Sequence, residues 1–458
     1  MLKRKGIAHL LALFLQHFLS LRNLGSDIVW VMLFSLLLIG CRNQQPATSA
    51  SPPPIFMVGS TMGTKWKATI PVLPPDIADE ELFAAIKMKL KEINRMMSTY
   101  LPTSEVSTFN KSTSTDWFSI SKETALVITE AQRISQLSDG AFDITVAPLV
   151  NLWNFGPEIH EQQLPDNVLI AKTIKQVGYK KLAVRLSPPT IRKEIATLQI
   201  DLSAIAKGYA VDAIAKLLEE RGINSFLIDI GGEVQSKGTK QNGSEWRLGI
   251  ESPVANQRAL YQRIKLTNNA IATSGDYRNF HEVNGKRYSH TIDPRTGQPV
   301  DHPLGSASVI AKNCMTADAF ATTLMVLGPK EGFRFAKKQN LDVMLIERDG
   351  EKLSHQMTTG FEKHLIQKQP AHQKTNSGNS MLIFIITFIV FGLAMVGMAI
   401  GYLLKNRCLE GSCGGLSAMK DAQGKPLCES CTHPSLECEE LAKKHAATEE
   451  TPPKSETP

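Results

Sequence analysis

Asp318 and Thr322 stand four residues apart in the run Thr316-Ala317-Asp318-Ala319-Phe320-Ala321-Thr322, which reads as helix, so a carboxylate and a hydroxyl share one face. Oxygen donors of that kind suit a hard cation such as magnesium, which takes few protein ligands and leaves positions to water and substrate phosphates. The same pair also serves as caps near a helix N-terminus, and spacing alone leaves both readings open. Lys207, just inside a second helix start and behind Asp201, offers its charge to a phosphate beside main-chain amides, or is a solvated lysine. His290 and Asp293 have the makings of a general base and its orienter, and equally of a structural hydrogen bond. No GxxxxGK[ST] loop and no GxGxxG occurs, so any nucleotide is held without the standard phosphate cradles.

The elements that must position these groups alternate between strand and helix. Lys65 to Ile70 has the look of a strand. Asp79 to Met97 is apolar at Leu82, Ile86, Leu90, Ile93 and Met97, the spacing of one helix face. Ser121 opens a further helix with Leu126 to Leu137 behind it. Leu198 to Leu202 and Ser225 to Ile230 read as short strands flanking a helix from Ala206 to Arg221. Trp246 to Ile250, Arg263 to Leu266 and Ala270 to Ser274 continue the strand pattern before a helix from Ala317 to Leu327. Strands outnumber what a doubly wound order needs, so the expectation is an α+β body built on a mixed sheet.

The rest of the chain carries different signals. With 458 residues, 42% hydrophobic and 21% charged, it is long enough for two or three units and too polar for a polytopic membrane protein. The net charge of +7 owes +3 to the signal-like residues 1 to 40, through Lys3, Arg4, Lys5 and Arg22 against Asp27, and what remains is too weakly basic to argue for nucleic acid, so no nucleic-acid partner is expected. Ile28 to Ile39 is uncharged and ends in Leu38-Ile39-Gly40-Cys41, similar to the lipobox of a bacterial lipoprotein, with Cys41 the lipidation site. The long stretch before it leaves an uncleaved anchor as the alternative. Met381 to Leu404 is uncharged over 24 residues, about 36 Å as helix, long enough to span a bilayer, with a buried core helix as the other reading. Lys405 and Arg407 follow, which predicts a cytoplasmic tail and an exported body at a bacterial inner membrane.

Cysteine placement agrees with that topology. Of seven cysteines one is the lipobox Cys41, only Cys314 falls in the exported body, where it reads as a packing residue, and five crowd into the tail. Cys413, Cys428, Cys431 and Cys438 include a Cys-x2-Cys pair, whose thiolates suit iron or zinc. The expected organisation is a signal and lipobox segment over 1–41, a linker over 42–54, a body over 55–366 and a linker over 367–380. A membrane helix over 381–404, a Cys-rich tail over 405–440 and a disordered end over 441–458 complete it.

The motifs GSTMGT, MSTY, SDGAFDITVAPLV, DLSAIAKGYAVD, DIGGE, TSGDYR, SHTIDPRTG and ADAFATTL appear in that order between residues 59 and 324. Together they resemble the ApbE family of FAD:protein FMN transferases, over about residues 55 to 365. The resemblance implies magnesium-dependent transfer of FMN from FAD to a Ser or Thr hydroxyl of another protein, releasing AMP. It implies FAD contacts at Met62, Tyr100, Ala141, Phe142, Asp143, Asp201, Lys207 and Ile292. The implied magnesium ligands are Ala204 through its carbonyl, Asp318 and Thr322, and the implied catalytic base is His290. Ser203 replaces a more usual glycine. The tail, from about residue 378 to 440, resembles NqrM, an assembly factor thought to supply iron to the sodium-pumping NADH:quinone reductase. It departs by an extra Cys408 and an insertion around Ala418 to Pro426, and a zinc knuckle is the competing reading. The implied acceptor is then a subunit of that reductase carrying a Ser/Thr-Gly-Ala-Thr segment. FAD pyrophosphatase activity, or a flavin-binding assembly role without transfer, are the alternatives.

Overall fold

The computed structural model describes residues 53–158, 164–254, 259–350, 352–366 and 384–396. The chain divides after Gln367 into two units, Met1–Gln367 and Lys368–Pro458. The first is built on an eight-stranded sheet: β1 Ile55–Thr61, β2 Thr64–Ile70, β3 Phe226–Ile230, β4 Glu233–Lys237, β5 Ala270–Gly275, β6 Leu304–Ala311, β7 Asp342–Asp349 and β8 Lys352–Met357. The strands lie side by side in their order along the chain.

The α+β class holds, but the sheet is not mixed. Every neighbouring pair in it is antiparallel. The reason lies in the excursions. Between β2 and β3 the chain leaves for most of its helices and still returns to the same sheet edge running the opposite way, so no right-handed crossover forces parallel pairing.

Period-two alternation divides the core between the sheet's faces. Ala270 and Ala272 of β5, Val309 of β6 and Val343 and Leu345 of β7 face one cluster, whereas Ile271, Ile310, Met344 and Ile346 face another. The first face is covered by helices α1 Asp79–Met97, α2 Lys122–Leu137, α3 Ala206–Glu220 and α4 Cys314–Lys338. Helix α1 has the bounds its apolar spacing predicts, buries Leu82, Ile86, Leu90, Ile93 and Met97, and begins with Asp79, Glu80 and Glu81, charges that complement its dipole. The second face is covered by a hairpin, Trp246–Glu251 with Leu260–Leu266, and by Phe361.

Leu198 to Leu202 is not a strand. Leu198, Ile200 and Leu202 are buried alternately, as a strand would be, but the backbone bonds to a side chain instead of a ladder. Asn110 Nδ2 donates to the Ile200 carbonyl at 2.8 Å and its Oδ1 accepts from Ile200 N–H at 2.8 Å. A side-chain amide here does the work of a neighbouring strand.

Helix α4 is two helices across a kink. Gly328 has φ 74° and ψ 179°, and Pro329 follows it. Proline lacks the N–H that would reach the Met325 carbonyl one turn back. His302 Nε2 fills that place, donating to the Met325 carbonyl at 2.8 Å, while its Nδ1 has no partner. His302→Ala is therefore expected to leave a buried carbonyl unpaired, lowering stability by about 1–3 kcal/mol, and thermal unfolding of the variant checks this.

In the second unit, residues 384–396 form a helix of exposed apolar side chains inside the predicted 381–404 span. Among the described residues no helix is long and apolar enough to cross a membrane. Cys41, Cys413, Cys428, Cys431 and Cys438 lie outside the described residues, as do the predicted lipobox and Cys-rich tail. Cys314, the free cysteine in the described part, is fully buried, as expected of a packing residue.

Candidate active site

A cleft of about 960 Å³ is walled by segments far apart in sequence, drawn both from the helix layer and from the hairpin that covers the sheet's other face. Met62, Tyr100, Ala141, Phe142, Asp143, Asp201, Ala204, Lys207, His290, Ile292, Asp318 and Thr322 all line it. The structure thus brings together every residue that the resemblance places at the flavin nucleotide, the cation or the base, whereas Asp293, the candidate orienter, is not among the lining residues. Met62 and Gly63, with φ 47° and 70°, make the two-residue turn between β1 and β2. That turn sets a methionine in a backbone conformation side chains seldom adopt, at the cleft rim.

The floor is an acidic and basic cluster where α3 meets α4. Asp318 is 2% exposed at its side chain; its Oδ2 accepts from Gly208 N–H at 2.9 Å and its Oδ1 lies 3.7 Å from Lys207 Nζ. Lys207 Nζ also reaches Glu233 Oε1 at 3.3 Å. Burial pushes the Lys207 ammonium down, but the Asp318 and Glu233 carboxylates beside it outweigh that and hold its pKa above the ordinary lysine value. Thr322, one turn beyond Asp318, shares a hydrogen bond of 3.2 Å with Ser274 of β5.

Asp318 does not cap its own helix. The α4 N-terminus is already served by Asn313, which accepts from Thr316 N–H at 3.1 Å, and by Asp212, whose two oxygens accept from Cys314 and Met315 N–H at 2.7 and 2.8 Å. Asp318 instead satisfies an amide in the first turn of α3, which ties the two helices together. Gly208 makes that approach possible: a Cβ there would lie 2.4 Å from the Cys314 carbonyl oxygen and 2.7 Å from Met315 Cα. Gly208→Ala is expected to push α3 and α4 apart, costing about 1–3 kcal/mol of stability and withdrawing the amide from Asp318. Thermal unfolding together with an activity assay checks both parts.

His290 is oriented by a main-chain carbonyl and not by Asp293. Its Nδ1 donates to the Asn279 carbonyl at 2.9 Å, which leaves Nε2 as the lone-pair nitrogen of the neutral ring. Asp293 is engaged with Arg295, at 2.9 Å to Nε and 2.8 Å to Nη2. Burial lowers the His290 pKa, opposed by the Asn279 carbonyl and by Asp276. The ring is therefore neutral near pH 7.

Two other carboxylates are spoken for by the scaffold. Asp143 Oδ1 accepts from Thr145 N–H and Oγ1, both at 2.7 Å, and Oδ2 accepts from Tyr179 N–H at 2.7 Å, so Asp143 holds the loop that carries Ala141 and Phe142. Burial raises its pKa, with those donors opposing. Asp201 N–H donates to the Ile144 carbonyl at 2.7 Å, joining the two motifs, and its Oδ1 accepts from Ser203 N–H at 2.8 Å. Tyr100 stands 67% exposed, its hydroxyl 3.4 Å from the Phe155 carbonyl, a flat apolar surface at the mouth.

Glu233 is the residue that sequence reasoning missed. It was visible in DIGGE, yet nothing there distinguishes it from a solvated glutamate. In the structure it is 3% exposed, its Oε2 has no partner, and burial raises its pKa against the pull of Lys207. Among the described residues no three His, Cys, Asp or Glu side chains stand together as a metal cluster. A cation at this floor would therefore rest on Asp318, the Thr322 hydroxyl and a main-chain carbonyl, an all-oxygen set that fits magnesium.

Residues 62–345 match the ApbE family, and residues 402–451 match the (Na+)-NQR maturation NqrM family. The FAD:protein FMN transferase of Vibrio cholerae serotype O1 is 40% identical over 331 residues, 72% of this chain and 96% of that protein. The FAD:protein FMN transferase of Escherichia coli K12 is 36% identical over 338 residues, 73% and 96% of the two chains. Among solved structures, the flavin transferase ApbE from Vibrio cholerae superposes with a TM-score of 0.63 at 39% identity, covering 68% of this chain and 99% of that one. The apo flavinyl transferase ApbE of Pseudomonas stutzeri gives 0.63 at 34% identity, covering 68% and 96%. With this cleft and these matches, the chain belongs to the ApbE family.

Proposed function

We propose that the body transfers FMN from FAD to a Ser or Thr hydroxyl of an acceptor protein. The observation that carries this is one cleft, of a volume suited to a dinucleotide, holding both an oxygen-donor floor and a neutral histidine fixed through Nδ1. The relatives named FAD:protein FMN transferase support it. Met62, Tyr100, Ala141, Phe142, Asp201 and Ile292 then border the flavin nucleotide, with Asp143 holding the loop that carries Ala141 and Phe142. Ala204, Asp318 and Thr322 would hold magnesium, which draws charge off the pyrophosphate oxygens when bound.

His290 Nε2 takes the proton of the acceptor hydroxyl. The hydroxyl oxygen forms a bond to the FMN phosphorus as the bond from that phosphorus to the AMP oxygen breaks in line. Lys207, kept charged by its carboxylate neighbours, meets the negative charge that gathers on the departing AMP. Incubating the full chain with FAD, magnesium and an acceptor bearing Ser-Gly-Ala-Thr, then weighing the acceptor, tests this. An added FMN mass with one AMP released supports transfer; AMP with free FMN and no adduct makes the chain an FAD pyrophosphatase.

The same reading extends to the rest of the chain. The tail's match to an NQR maturation family supports a sodium-pumping NADH:quinone reductase as the complex served, with iron on Cys413, Cys428, Cys431 and Cys438. The span 381–404 would cross the inner membrane, with the lipidated Cys41 and body on the periplasmic side and the tail in the cytoplasm. An impermeant thiol reagent applied to intact cells is expected to leave the tail cysteines unlabelled. Labelling from outside would reverse the topology.

A further inference from the structure

The hairpin on the second face of the sheet has one closed edge and one open edge. Its register sets Arg247 opposite Lys265 and Gly249 opposite Arg263. Beyond the second strand, Lys265 N–H donates to the His364 carbonyl at 2.8 Å, and Ile366 N–H donates to the Arg263 carbonyl at 3.1 Å. The main-chain groups of residues 263 and 265 thus point away from the first strand. In an antiparallel ladder such residues face non-hydrogen-bonded partners. Arg247 and Gly249 therefore also turn their N–H and C=O outward, on the opposite edge. Among the described residues no strand pairs with that edge.

The open edge runs into the cleft. Gly249, Ile250 and Glu251 line it, and Glu251 forms an ion pair with Arg278. The next residue, Asn279, is the one whose carbonyl holds His290. Gly249 is exposed and has no side chain to shield its main chain, and a Cβ there would lie 2.5 Å from Leu260 Cδ1. An unprotected edge is an invitation to pair with another chain, and proteins usually blunt one with charge, proline or a cover. Here the edge is bare where it meets the cleft.

We propose that the acceptor protein delivers its hydroxyl on an extended segment that adds as a third strand to the Arg247–Gly249 edge. This rests on the FMN-transfer reading. A hydroxyl that must reach a recessed base beside a bound dinucleotide is best carried by a thin, extended chain. Main-chain pairing holds such a chain whatever its sequence. Small residues beside the hydroxyl, as in Ser-Gly-Ala-Thr, let its backbone lie close against Gly249.

The test uses the full chain, FAD, magnesium and a short synthetic peptide containing Ser-Gly-Ala-Thr, with a single N-methyl group moved along its backbone. A strand pairs through every second residue, so N-methylation at alternate positions is expected to lower kcat/KM for the peptide about tenfold or more, with the intervening positions near the unmodified rate. Arg247→Pro, which removes an outward N–H and leaves the 246, 248 and 250 pairings in place, is expected to raise the peptide KM by a similar factor. A flat N-methyl profile in an enzyme that transfers FMN overturns the added strand and leaves the transferase reading standing. Cleavage of FAD with no transfer to the unmodified peptide overturns that reading, and this one with it.

Discussion

Asp318→Asn is expected to lower FMN transfer by roughly 1,000-fold while leaving the unfolding temperature nearly unchanged. The size follows from what removing one preorganised charge-stabilising group does in a water-excluded site. The selectivity follows from the two separate tasks of the carboxylate. Its Oδ2 accepts the Gly208 N–H that ties α3 to α4, and an amide oxygen can take over that bond. Its negative charge, beside Lys207 and at the oxygen-donor floor, has no substitute in asparagine. Asp318→Ala removes both and is expected to abolish transfer and to lower stability as well. Full activity of Asp318→Asn at ordinary magnesium concentrations would remove the cation-binding role. A loss of stability equal to that of the alanine variant would instead make the residue a helix tie.

How much of this was legible in the sequence depends on whether a partner was near in the chain. Helix α1 was readable to its ends because five apolar residues at helical spacing specify a face without reference to anything else. The site residues were readable as clusters because each motif carries its own turn or helix start. Partnerships across the fold were not. Asp293, three residues from His290, looks like its orienter, yet the bond goes to Asn279, placed there by the return of the 280–289 hairpin. His302 and Pro329 explain one another only once α4 is folded against the loop before β6. Leu198 to Leu202 has strand-like alternation because every second residue is buried, and only the position of Asn110 shows that no ladder forms. Strand direction in the sheet was hidden for the same reason, since it depends on where long excursions re-enter.

His290→Ala is expected to lower turnover by about 100- to 10,000-fold, the usual contribution of a positioned acid/base group, while FAD still binds. The pH dependence distinguishes a base from a binding residue. Burial lowers the His290 pKa, so the neutral ring with its lone pair on Nε2 persists below the ordinary histidine value of about 6.5. Activity is then full at neutral pH and falls only as pH drops through that depressed value, because protonation at Nε2 removes the site that accepts the hydroxyl proton. The acid limb of kcat/KM should lie below that of a free histidine and should vanish from the slow residual reaction of His290→Ala. Asp293→Asn should leave the limb where it is, since Asp293 bonds Arg295 and not the ring. If His290→Ala instead loses FAD binding but keeps its turnover per bound flavin, the ring serves to hold the nucleotide and the proton must leave by another route.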